Sequence, residues 1–325
     1  MTLSSHPKSA TIGVFGTEGE AKTAFEAAVS KKSEAEGIVV YHRTEGGRKI
    51  SLLDTNDFPE RIQGYSRIAS ICDHAYYMIP RSGKLSPADG ELAVLLEAFG
   101  LPGTIQLLDG TPPDSARPSL RGTAVSDFPL EERNSASSVL DASQILPRED
   151  FPTRGTLVYL DRAFTVKGVG TVALGFVLSG EVSVHDQLRP VPGPGELRAD
   201  VKGIQINDVD FERAGRGVRV GLSLRGVDPQ DLENCHWLDD GSLTVKDRLS
   251  LDFRGSPFYR PDVRGRDLHL QLPGETLPAR IERGEGSRLT AILPTEVPAW
   301  EGMKTAILDL NGRPLRVAGG GTCMF

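Results

Sequence analysis

Over roughly the first 140 residues, short apolar runs alternate with longer amphipathic ones. Ala10–Gly16 (ATIGVFG) is β-branched and aromatic and ends in glycine, and Glu18–Ser33 is rich in Ala, Lys and Glu, which predicts strand, loop and helix. Gly37–Arg43 and Arg48–Asp54 are two strand-like runs separated by TEGG, a glycine turn of hairpin length. His74–Pro80 reads as a further strand. Ala88–Phe99 has helical spacing, with Ser86 and Pro87 placed as N-cap and first helical residue. Gly103–Leu108 and Gly122–Ser126 complete the series as strands. Strands alternating with helices predict a mostly parallel wound sheet.

Near Leu146 the pattern changes, where PREDFPTRG is polar and proline-bearing as a linker should be. Beyond it no helical periodicity survives. TLVYL, AFTVKGVGTVALGFVL, DQLRPV, VKGIQI and RVGLSL recur at about ten-residue spacing between glycine and proline turns, the signature of a small antiparallel barrel or sandwich. After the polar break at Asp239–Ser242 a second set follows: LTVKDRLSLDF, DLHLQL, RLTAILP, KTAILDL and PLRVAG. The expected organisation is an α/β domain over residues 1–145, a linker at 146–154, and two antiparallel β-barrel domains at 155–241 and 242–325.

Composition narrows the function classes. The 36 glycines and 22 prolines of the 325-residue chain fit a turn-rich protein. A net charge of −7 gives no overall basic footprint, so any nucleic-acid contact has to be local and DNA is not an expected partner. No apolar run approaches the ~20 residues of a membrane span, and the polar N-terminus lacks the apolar region of a signal peptide. A cytoplasmic monomer is the expectation. Cys72, Cys235 and Cys323 are far apart and read as packing residues, as do Trp237 and Trp300. The histidines lack ligand spacing. Tyr259–Arg266 (YRPDVRGR) is a local basic patch, read as a solvated turn with RNA phosphate as the competing reading.

Gly16–Thr23 (GTEGEAKT) fits G-x-x-x-x-G-K-[ST] except that Ala21 replaces the last glycine. In an intact loop the backbone N–H groups wrap phosphates, the lysine reaches the outer ones and the hydroxyl holds magnesium. Lys22 and Thr23 retain those groups, whereas a Cβ at Ala21 would crowd the backbone where it approaches phosphate. Two readings stay open: a helix entrance without nucleotide, or a residual nucleotide site of Gly16, Lys22, Thr23 and Asp54, with magnesium on Thr23 and Asp54 only if nucleotide binds. Asp54 ends its strand as a D-x-x-G aspartate would, but Asp57 takes the glycine position. No N-K-x-D follows Gly103–Leu108, where only Asp109 could correspond. Too few residues separate Thr23 from Gly37 for a helix plus a long switch loop.

LDRAFTVKGVGTVALGFVLSGEVSVHDQL (Leu160–Leu188) and the following VKGIQINDVDFERAGRGVRVGLSLRGVDPQDLENCHWL resemble the second domain of translational GTPases. The resemblance is closest to the selenocysteine-specific elongation factors, with elongation factor Tu more distant. IGVFGTEGEAKTAF and SLLDTNDFPERI then resemble the family's phosphate-loop and D-x-P-G-H-E-R segments, and LNGRPLRVAGGGTC its last strands. The resemblance implies a wound α/β domain of the P-loop type followed by two antiparallel β barrels, with GTP and magnesium as cofactors and aminoacyl-tRNA or the ribosome as partner. The family's switch threonine falls near Val39, which has no hydroxyl, and Asp57-Phe58-Pro59 stands where its water-positioning histidine belongs. Losing both is expected to remove most of the catalytic acceleration.

By the same resemblance Asp161 and Arg162 match residues of the pocket for the aminoacyl end of tRNA, and Arg219 matches a later arginine of that pocket. Two guanidinium forks flanked by a carboxylate would suit an anionic or polar group, and the competing reading is ordinary surface ion pairs. The fourth domain of the selenocysteine factors is not matched. The leading expectation is a translation-factor homologue that binds charged tRNA or another translation component through its β domains and has lost GTP hydrolysis. The alternatives are a slow GTPase using Lys22, Thr23 and Asp54, and a scaffold paralogue that binds protein and no RNA.

Overall fold

The computed structural model describes residues 9–19, 31–35, 37–45, 48–107, 111, 117–132 and 145–325. Seven strands form its N-terminal sheet: β1 (Ser9–Phe15), β2 (Lys31–Ala35), β3 (Ile38–Glu45), β4 (Arg48–Asp54), β5 (His74–Ile79), β6 (Gly103–Leu107) and β7 (Leu130–Glu132), in the order β2-β3-β4-β1-β5-β6-β7. From β4 to β7 every pairing is parallel, and the hairpin read from the glycine turn is the antiparallel β3–β4 pair. The helix read over Glu18–Ser33 is corrected at its end, because Lys31–Ala35 pairs antiparallel with β3. Residues 20–30 lie outside the described part.

Among the described residues, two helices cover this sheet, α1 (Gln63–Ile71) and α2 (Pro87–Phe99). Helix α2 starts where its caps dictate: the Ser86 side chain accepts from the Asp89 N–H, the Asp89 carboxylate accepts from the Ser86 N–H, and left-handed Gly100 ends the helix. Gly122–Ser126 is not a strand. Thr123 Oγ1 donates to the Leu120 carbonyl at 2.8 Å and Ser126 Oγ to the Thr123 carbonyl at 2.9 Å, so local side-chain bonds hold a turn and a 3-10 helix at Ala124–Asp127 instead.

The middle assembly contains β8 (Leu157–Val166), β9 (Gly170–Ser179), β10 (Glu181–Ser183), β11 (Gln187–Val191), β12 (Ala199–Ile206), β13 (Val209–Phe211), β14 (Arg213–Gly215), β15 (Arg219–Arg225) and β16 (Trp237–Asp239). Its row β11-β16-β8-β9-β15-β12 is joined end to end by the β11–β12 pairing. The last assembly is a closed antiparallel barrel of β17 (Thr244–Gly255), β18 (Arg266–Gln271), β19 (Thr276–Arg283), β20 (Arg288–Ala299), β21 (Lys304–Leu308) and β22 (Val317–Met324). The fold is therefore a wound α/β sheet followed by two antiparallel β assemblies. All three cysteines are buried and free, and Trp237 and Trp300 are buried as expected.

The middle assembly has its own core around Val158, Ala173 and Leu222. A second continuous apolar core runs from Tyr65, Tyr77 and Leu96 of the α/β unit, past Tyr159 and Trp237 of the middle assembly, to Leu249 and Ala318 of the last barrel. A polar knot ties the α/β unit to the middle assembly. Arg216 Nη2 donates to Asp73 Oδ1 at 2.7 Å, Thr11 Oγ1 donates to the Gly217 carbonyl at 3.0 Å, and the Arg216 guanidinium lies 4.6 Å from the Phe151 ring centre. Among the described residues, no helix is long and apolar enough to cross a membrane.

Candidate functional site

Strands β1 and β4 run side by side in parallel, so Gly16, just beyond β1, and Asp54, the last residue of β4, come to the same edge of the sheet. Gly16 has no room for a side chain, since a Cβ there would lie 2.9 Å from Met78 Cβ. Tyr65 of α1 enters between the two residues. Its hydroxyl lies 3.0 Å from the Gly16 carbonyl and 3.0 Å from Asp54 Oδ1, and with a single proton it donates to one of them at a time. Phe15 and Phe58 pack on the phenol, each with its ring centre 5.1 Å away. Gly64 lets the helix approach so closely, because a Cβ at that position would lie 2.3 Å from Thr55 Oγ1.

This edge does not fit a magnesium ion held directly on Asp54. The carboxylate is 2 % exposed and one of its oxygens faces the buried phenol. Val39, at the place the resemblance gives to a switch threonine, sits opposite Asp54 in the β3–β4 register and is buried. Thr17 Oγ1 donates to Asp89 Oδ1 at 2.7 Å, and Glu18 Oε2 accepts from the Arg81 N–H at 2.6 Å. Lys22, Thr23 and Asp109 lie outside the described residues. No group of three or more metal-ligating side chains occurs among the described residues.

The second set of residues sits on the middle assembly. The β8–β9 register shifts between Leu160 and Arg162, which makes Asp161 the bulged residue of β8. Arg219, at the start of β15, sends both Nε (3.1 Å) and Nη2 (2.9 Å) to Asp161 Oδ2. The two side chains are 9 % and 3 % exposed. Arg219 is thus engaged by Asp161 in a largely buried ion pair. Arg162 is exposed, with its guanidinium 5.9 Å from the Phe164 ring centre.

Asp161 and Arg162 line a cavity of about 630 Å³ where all three units meet; Arg219 is not among its lining residues. Arg67 of α1, Glu233 and His236 of the middle assembly and Glu275 of the last barrel complete its charged wall. Arg67 Nη2 donates to Glu275 Oε1 at 2.8 Å, and His236 Nδ1 lies 3.4 Å from Glu275 Oε2. Burial pushes the Glu275 carboxyl up, but the His236 hydrogen bond, the Arg67 charge and the Thr276 N–H together hold it below its usual range. The β18–β19 turn that carries Glu275 lies flat on the middle assembly. Gly274 permits this, since a Cβ there would meet the Tyr159 ring at 2.3 Å, and Trp237 Nε1 donates to the Pro273 carbonyl at 2.8 Å.

No protein-family model matches the chain. It is 28 % identical over 315 residues to the uncharacterized protein MJ0325 of Methanocaldococcus jannaschii, covering 96 % of this chain and 98 % of that protein. It is 34 % identical over 125 residues to the selenocysteine-specific elongation factor of the same organism, a stretch covering 38 % of this chain and 26 % of that factor. Among solved structures it is similar to translation elongation factor SelB from Methanococcus maripaludis in complex with the GTP analogue GppNHp, with a TM-score of 0.80 at 20 % identity over 99 % of this chain and 80 % of that one. A bacterial selenocysteine-specific elongation factor, EF-Sec, gives a TM-score of 0.81 at 16 % identity over 97 % of this chain. The match spans 58 % of that factor.

A wound α/β sheet followed by two antiparallel β assemblies, superposing this closely, is a fold related to the translational GTPases. Within that class the fold is SelB-like.

Proposed function

We propose that this protein is a translation-factor homologue that binds aminoacyl-tRNA or another translation component through its β units, and that it has lost GTP hydrolysis. The observation that carries the reading is the position of Tyr65. A buried phenol stands between Gly16 and Asp54, the residues matched to the phosphate loop and the metal-side aspartate. Phosphoryl transfer is catalysed by positioning and charge stabilisation, and Val39 and Asp57-Phe58-Pro59 supply neither a metal-binding hydroxyl nor a water-orienting imidazole at the matched places. The proposed units are an α/β domain at 1–145, a linker at 146–154 and β-barrel domains at 155–241 and 242–325, acting as a cytoplasmic monomer.

On the binding side, exposed Arg162 at the rim of the three-unit cavity offers a planar donor fork suited to carboxylate or phosphate oxygen. Filter binding of total aminoacyl-tRNA at low salt tests this. Retention is expected for the native protein and a loss of about tenfold for Arg162→Glu, the size of one charge-assisted contact. No retention of the native protein overturns the RNA reading. Phosphate release from GTP in the presence of magnesium tests the other half: none above background is expected, and turnover overturns the loss of hydrolysis.

A further inference from the structure

We propose that the segment following Asp54 is a fixed brace, and that it holds the α/β unit and the last barrel in one arrangement whether or not a ligand is present at the Gly16–Asp54 edge. The brace centres on Arg316, just before β22. Its backbone N–H donates to Glu91 Oε1 at 2.7 Å, and its Nε lies 3.1 Å and 3.2 Å from the two carboxylate oxygens of that α2 residue. Both side chains are buried, 9 % and 5 % exposed. The remaining end of the fork, Nη1, donates to the Glu60 carbonyl at 3.0 Å, and the guanidinium lies 5.8 Å from the Phe58 ring centre. Phe58 stands edge-on against Tyr65, whose hydroxyl reaches Asp54 and Gly16.

These contacts form an unbroken physical connection. It runs from the strand ends, through Tyr65 and Phe58, to Arg316 on the barrel and back through Glu91 to α2. A second attachment lies one helical turn or more further along α2. Gly320 approaches Ala98 so closely that a Cβ on it would sit 2.0 Å from the Ala98 carbonyl oxygen. The apolar core beneath is continuous across the same junction. Moving one unit against the other would expose that core and separate a buried carboxylate from its guanidinium, which is strongly destabilising for a buried pair. The segment between Asp54 and α1 thus has no slack with which to report what happens at the strand ends.

Hydrogen exchange resolved to peptides spanning residues 55–71, with small-angle scattering alongside, tests this on the full chain. In the native protein, slow exchange of these peptides is expected, with exchange and scattering both unchanged by millimolar GTP and magnesium. Arg316→Met is expected to raise their exchange by about tenfold or more, as a local opening released from the global unfolding limit would. Arg248→Met, at an exposed ion pair of the barrel, is the control and leaves it unchanged. Rapid exchange of the native segment, a nucleotide-dependent change in the scattering curve, or equal protection in Arg316→Met would each overturn the brace. If Arg316→Met does not fold, Glu91→Gln takes its place, with the same rise in exchange of residues 55–71 expected and equal protection overturning the brace. Neither outcome depends on whether RNA is bound.

Discussion

Tyr65 Oη lies 3.0 Å from Asp54 Oδ1, with both side chains buried at the end of the central strands. The phenol gives this carboxylate a partner that costs no ion and no nucleotide. Tyr65→Phe keeps the ring packing on Phe15 and Phe58 and removes only the hydroxyl. It is expected to lower stability by about 1–3 kcal/mol, the cost of leaving a buried hydrogen-bonding group without its partner, and urea unfolding will measure it.

Asp161 and Arg219 form a buried pair, and a buried charge without its partner is far more costly than no charge at all. Asp161→Leu or Arg219→Met alone should destabilise by about 3–5 kcal/mol. The double variant Asp161→Leu/Arg219→Met should recover a large part of that loss. A double-mutant cycle in denaturant would show additive losses if the two residues did not act together.

Glu275 titrates below its usual range in the folded chain, so the unfolded state takes up a proton first as pH falls. Its contribution to stability is complete above the ordinary carboxylate value of 4.5 and is lost as pH drops through the lower folded value. In Glu275→Gln the acid limb of a stability-against-pH curve should flatten below about pH 4.5. An unchanged acid limb would mean that Arg67 and His236 do not stabilise the carboxylate.

His74 gives the opposite group type with the same pH direction. Burial lowers its imidazole below the ordinary 6.5, with Glu131 opposing, and Nε2 lies 2.9 Å from Thr104 Oγ1. The unfolded chain therefore protonates first, and folding loses free energy as pH falls from 6.5 towards the lower folded value. His74→Gln should remove that part of the slope, read by thermal melts across the same window.

Gly320→Ala tests the close approach of the barrel to α2. The added methyl would meet the Ala98 carbonyl at 2.0 Å, so the helix or the strand has to shift. A loss of about 1–3 kcal/mol is expected, as for other overpacked junctions, while Gly286→Ala on a turn with open space around it would report only its left-handed backbone.

Local patterns in the sequence carried much of the fold. Ser86, Pro87 and Gly100 mark both ends of α2, and the glycine turn marks the β3–β4 hairpin. Helix α1 escaped because Gly64, Ser66 and Ser70 are poor helix formers, and it is tertiary packing against Thr55 and Gly274 that makes them tolerable. The strand Thr276–Arg283 was also missed, although Leu277, Ala279 and Ile281 alternate cleanly with exposed or half-exposed neighbours. Gly16 and Asp54 were legible as ends of strands. The cavity wall was not: Arg67 and Glu275 are 208 residues apart, and nothing local to either predicts that they meet.

The position of β22 in the chain also sets an order of events during synthesis. Glu91 leaves the ribosome 225 residues ahead of Arg316, and at ordinary translation speeds that is a wait of roughly 10–45 s. Throughout it the face of α2 destined for the barrel is uncovered, and the Glu91 carboxylate on it stays hydrated. Glu91 is thus a guard on the nascent α/β unit before it becomes a fastening in the finished one, and Glu91→Leu would be expected to aggregate during translation even where the completed fold tolerates it.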